Sequence, residues 1–298
     1  KDVTGKEFKN IDYLKNFNKI KKLLEEKKLS TRKNYIATIL VMLRAYDDKY
    51  EKLIEKYTDY LNDISDKYNS EQDKQTKSIK EKENWVDMSE LKTKVLKYYM
   101  KKIRANGINR KSKKVLSKKE KRILKSYLVA SLYLLDPNNH PPRRNIYASL
   151  KIIKAEDYNK LTDKEKKEHN WLWLKSRNNK KFIFNQQKNK TENEIKLSPA
   201  INSVVNLYLK YHDSDDFLLD SKNKQMSSNS LTKFLTSMFK QAIGKKISST
   251  MLRKIYVTSK FDLPALKEMK DTAKKMGNTV PIQMKHYYKS DKEEKKDK

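Results

Sequence analysis

No cysteine occurs in the 298 residues, so disulfides and thiolate metal sites are excluded, as suits a reducing compartment. Glycine and proline are scarce, at four and six. Each one therefore becomes a signpost for a turn or a helix end. No apolar run approaches the roughly 18 residues of a membrane span, and no secretory leader pattern opens the chain. It reads as an intracellular protein without a membrane partner. The four histidines, His140, His169, His212 and His286, lack metal-ligand spacing, so neither a metal nor another cofactor is expected. Arginine is scarce too, with nine against 61 lysines.

What is abundant is positive charge, at a formal net of +32 and a pI near 9.8. A polyanion, above all nucleic acid, is the partner this balance implies, although many of these lysines also read as plain solvated surface. Lysine supplies a point charge rather than a planar fork, so charge alone names no function. The adjacent arginines in "HPPRRNIYASLKI" depart from the lysine habit.

Along the chain, residues 1 to about 105 read as helical. "LSTRKNYIATILVMLRAY" offers Ser30 or Thr31 as N-cap and sets Ile36, Ile39, Leu40, Leu43 and Tyr46 on one face. Its other face carries Arg32, Lys33 and Arg44, placed to lie along a phosphate backbone or in plain solvent. Residues 69–85 hold almost nothing apolar and read as an exposed loop or frayed helix end. A run of cations after Gly107 suggests an interdomain linker near residues 106–115. The expected domains are thus 1–110, helical, and 111–298, mixed α/β. In the second, Ser117 and Glu120 have capping-box spacing ahead of Ile123, Leu124, Tyr127, Leu128, Leu132 and Leu135. "ASLKIIKA", "NWLWLK", "KFIFNQ" and "NEIKLS" read as antiparallel strands, interrupted by a Thr162–Glu165 capping box. Helices return after Pro199, and Gly277 stops the last of them as a C′ residue. The tail "KSDKEEKKDK" reads as disordered.

Four places in the second half fall in order: Arg143 and Arg144, the hairpin "QQKNKT" with Lys188 and Lys190, Arg253 in "STMLRKIY", and Tyr287 and Tyr288 after "MGN". Behind a helical domain, this order resembles the tyrosine recombinase and integrase family, especially integrases of large DNA viruses and their mobile elements. The resemblance runs from about Ser30 to Lys289. It implies a mainly α, two-domain fold: an all-helical core-binding domain, and a mixed α/β catalytic domain with a small antiparallel sheet. It also implies a site-specific recombinase that cuts and rejoins double-stranded DNA without a cofactor, binding as a tetramer.

By resemblance Arg143, with Arg144 as alternate, and Arg253 would clamp the scissile phosphate in forked geometry that lysine cannot match. Tyr287, nine residues after Asn278, would be the nucleophile, with Tyr288 as alternate. Lys188, or Lys190 two residues on, would protonate the leaving oxygen. The chain departs from the family where Thr250 and Asn278 stand in place of its histidines and Ile146 in place of its usual acid. His140 and His286 lie nearby in sequence and offer imidazoles that could compensate, although each reads better as a surface histidine. Two alternatives remain: a type IB topoisomerase-like relaxing enzyme, and a weakened, recombinase-derived DNA-binding protein.

Overall fold

Two helix starts set the frame of the larger part of the molecule. The Glu120 amide donates to the Ser117 hydroxyl, and the Ser117 amide donates to the Glu120 carboxylate at 2.9 Å; Thr162 and Glu165 repeat the pattern. Each pair satisfies N–H groups that a helix's first turn leaves unbonded. A computed structural model describes residues 11–186, 193–277, 279–282 and 284. Within them the chain is mostly helical with one four-stranded mixed sheet, and it divides into two compact units, residues 1–78 and 79–298.

In the first unit α1 (Phe17–Glu25), α2 (Leu29–Arg44) and α3 (Glu51–Asp73) surround Leu24, Ile36, Leu40, Leu43, Tyr57 and Ile64. The expected face of α2 is the buried one, except that Tyr46 lies past the helix end and is exposed. The cap is not Ser30 or Thr31. The Lys28 carbonyl already accepts from the amides of Thr31 and Arg32, so the helix begins at Leu29. Arg32 is also not free for a phosphate. Its Nε donates to the Lys27 carbonyl at 2.6 Å and a terminal nitrogen to the Glu25 carbonyl, closing the end of α1 with a cation where the helix dipole is negative.

The second unit starts earlier than the boundary expected at 110. α4 (Ile79–Asn84) leads into α5 (Met88–Ala105), which Asp87 caps through the amides of Ser89 and Glu90. α5 packs on α6 (Lys118–Leu134), and its Tyr99 hydroxyl donates to the Met238 carbonyl at 2.9 Å. The cationic stretch after Gly107 is a pinned strap. Ile108 and Leu116 are buried, the Tyr211 hydroxyl donates to the Asn109 carbonyl at 2.6 Å, and Lys210 donates to the Arg110 carbonyl at 2.6 Å. Two apolar anchors sufficed where the charge run suggested a tether.

The sheet runs β1 (Leu150–Lys154), β2 (Asn170–Leu174), β3 (Lys180–Phe184) and β4 (Asn193–Lys196) in sequence order. β2–β3 and β3–β4 pair antiparallel, but β1 and β2 pair parallel, against expectation. Between them α7 (Ala155–Lys160) and α8 (Asp163–Glu168) carry the chain back to its starting edge, as a parallel pair requires. α9 (Pro199–Leu209), α10 (Ser228–Ile243), α11 (Ser249–Lys260) and α12 (Leu263–Lys275) follow. Gly277, at φ +68°, ends α12 in the left-handed conformation glycine tolerates best. No helix among the described residues is long and apolar enough to cross a membrane.

Candidate functional site

The loop after α6 carries Pro141 and Pro142 directly before Arg143. Both prolines fix φ near −65°, so Arg143 leaves the loop with little freedom. Its guanidinium lies over the Phe184 ring, 4.4 Å from the centroid, and reaches Asn193 Oδ1 at 3.5 Å. Burial pushes its pKa below the ordinary arginine value, while the buried Tyr147 phenol acts the opposite way. Arg144, the next residue, is exposed and serves as the N-cap position of the tight turn Asn145–Ser149.

Phe184 and Asn193 are partners across the β3–β4 ladder, the last residue of one strand and the first of the next. The connection between them carries Lys188 and Lys190, which lie outside the described residues. Folding therefore brings Arg143 to the foot of the hairpin expected to carry the lysine. That foot is braced. Asn170, 1 % exposed, accepts from the Gln186 amide at 2.8 Å and donates to Ser149 Oγ at 3.1 Å; Asn185 donates to the carbonyls of Lys166 and His169.

Arg253 sits half-buried on the second turn of α11, beside the buried Met251, Leu252 and Ile255, and Thr250 is exposed at the helix start. α11 packs on α5, α5 on α10, and α10 on the turn that follows Arg143. Among the described residues Arg253 shares no hydrogen bond or ion pair with the neighbours of Arg143. Asn278, His286, Tyr287 and Tyr288 lie outside the described residues, although Gly277, directly before Asn278, ends α12 as expected.

One reading needs correction. His140 is no surface residue: it is 2 % exposed, and its Nε2 accepts from the Ser198 amide at 3.3 Å. Lys180, which the sequence did not single out, is 3 % exposed because three acceptors meet its three protons: the carbonyls of Ser176 and Arg177 and Oδ1 of Asn202. Burial lowers its pKa, helped by Arg177 and Arg110. Ile146, where the resemblance would place an acid, packs half-buried on the core, and Arg143 finds Asn193 and a ring instead. Phe184 was visible as a strand residue. Asn170 and Asn193 gave no signal, since asparagines are common here and only pairing across the sheet singles these out. No group of three or more metal-ligating side chains occurs among the described residues.

Comparison with protein families, characterised proteins and solved structures finds no match to this chain.

Proposed function

We propose that this chain is a tyrosine-type DNA recombinase of a virus or other mobile element. The observation that carries the reading is the seating of Arg143. Its guanidinium is partly stripped of water, held against a ring and aligned beside the hairpin that carries Lys188 and Lys190. A cation so placed stabilises charge developing on a phosphate more strongly than one in free solvent, and its fork suits two non-bridging oxygens. In this reading the Tyr287 oxygen attacks the scissile phosphorus while its phenolic proton passes to water. Arg143 and Arg253 hold the non-bridging oxygens. Lys188 gives its proton to the departing 5′ oxygen, leaving a 3′-phosphotyrosyl bond and a free 5′ hydroxyl. The reverse attack by a 5′ hydroxyl rejoins the strand, so no external energy source is needed. The core-binding and catalytic roles fall to the first and second units, with four chains on the paired sites.

The test is a library of nicked duplexes of random sequence, from which the short downstream piece diffuses away after cleavage and traps the adduct. Wild type should yield a covalent protein–DNA band on a denaturing gel, and Tyr287→Phe should yield none. Wild-type protein that binds the library but forms no adduct overturns the reading in favour of a DNA-binding protein that does not cut. Relaxation of supercoils without joining of two sites favours the topoisomerase-like enzyme.

A further inference from the structure

We propose that His140 is a positioning residue: it fastens the Arg143 loop to the corner between β4 and α9, so that Arg143 and the β3–β4 hairpin keep one fixed relation. The loop holds the hairpin at two points that bracket β4. Arg143 meets Asn193 at one end of the strand, and His140 meets Ser198 just past the other. Between the two grips stand Pro141 and Pro142, which transmit the position of one to the other because neither can rotate about φ. The loop's own fold secures the histidine, whose amide donates to the Asp136 carbonyl at 2.8 Å. Leu197, next to Ser198, is buried and donates to the Lys180 carbonyl at 3.0 Å, so the corner His140 grips is itself fixed to β3.

The grip works in one protonation state. Nε2 must be an acceptor to receive the Ser198 amide, which requires the neutral ring. A protonated ring would set a second N–H against the first. Burial lowers the His140 pKa, Arg143 lowers it further, and Asp136 opposes both. Glu194 and Lys196 on β4 and Arg110 of the strap line the same cleft and complete the charged surroundings. A depressed histidine pKa means the unfolded chain takes up a proton first. The contribution is therefore full above the ordinary histidine value of about 6.5 and declines as pH falls from there toward the lower folded pKa.

Hydrogen exchange on the full chain reads the grip directly, without DNA. After correction for the intrinsic pH dependence of exchange, the Ser198 amide should exchange about fivefold faster in His140→Leu, the effect of losing one hydrogen bond of ordinary strength. In wild type the same acceleration should appear on acidification. His140→Gln, whose Oε1 can accept but cannot titrate, should keep the protection at both pH values. Protection of Ser198 that ignores both substitutions, or a pH response that survives in His140→Gln, overturns the proposal. Should His140→Leu fail to fold, wild type and His140→Gln still decide it.

The consequence for DNA cleavage rests on the recombinase reading. There His140→Leu should slow adduct formation at every pH, while His140→Gln should restore the rate and remove the acid limb of its profile. Absence of any wild-type adduct would sink that reading alone, since exchange at Ser198 is measured without it.

Discussion

The two units differ most in charge. Residues 1–78 hold 18 Lys and Arg against 14 Asp and Glu, a balance of +4, whereas the remaining 220 residues hold 52 against 24, a balance of +28. Two cations of the smaller unit have internal partners. Arg32 closes the end of α1, and Lys33 lies over the Tyr68 ring at 5.7 Å. The outward side of α3 carries Glu55, Asp59, Asp63, Asp66 and Asp73, all exposed. The larger unit leaves most of its charge uncompensated, and one of its seven arginines, Arg143, is seated at the foot of the hairpin. The contrast teaches that a whole-chain charge hides how charge is distributed. The excess lies almost wholly in the second unit, and the first is nearly balanced.

The sharpest way to break this contrast is to remove one arginine from each unit. Arg143→Ala should lower covalent adduct formation by about 10²–10³, the usual loss for one preorganised donor to a developing oxyanion. Arg32→Ala should leave that rate within about twofold and lower the melting temperature of the first unit instead, since a cation at a helix end contributes only about 1 kcal/mol. Equal losses of rate would show that the two arginines share a phosphate-binding role.

Cores come next. The units have separate buried clusters, with Leu24 and Leu128 each fully buried in its own. Leu128→Ala and Leu24→Ala should each cost about 2–5 kcal/mol in the unit that bears it. Calorimetry should resolve two transitions, and each substitution should move one of them. A single transition displaced by either would show that the units unfold together.

Smaller effects follow at the helix starts. Ser117→Ala should cost the second unit about 1 kcal/mol through loss of its cap, measurable by denaturant titration. Glu120, which completes that capping box and pairs with Lys114 at 2.5 Å, has its pKa lowered to about 2, first by the Lys114 ammonium and then by Ser117. A depressed carboxylate stabilises above its unfolded pKa and ceases to do so as pH falls through its folded one. Stability of the second unit should therefore decline with acid between about 4.5 and 2, and Glu120→Gln should flatten that part of the curve. An unchanged curve would assign the acid sensitivity to other groups.

Much of the fold was legible because the signals are local. Capping boxes at Ser117 and Thr162, the helical spacing in α2, α6 and α10, the glycine ending α12 and the four strand segments each depend on residues a few positions apart. The parallel pairing of β1 and β2 was not legible, since strand direction depends on where α7 and α8 return the chain. The unit boundary escaped for a related reason. A cationic stretch looks like a tether until Ile108 and Leu116 find their places in a core assembled from distant helices. At the candidate site Arg143 announced itself by chemistry, while Asn170, Asn193, Lys180 and the buried state of His140 did not.

The amino-acid sequence by itself determined the helical character, the positions of the strands, the excess of positive charge and the residue types that could handle a phosphate, because propensity, capping and charge act over short stretches of chain. Only the tertiary structure decided which arginine is desolvated, which histidine is an internal acceptor and which asparagines brace a hairpin. Those properties belong to pairs of atoms far apart along the backbone, and burial gives them their energy only after the chain has closed around them.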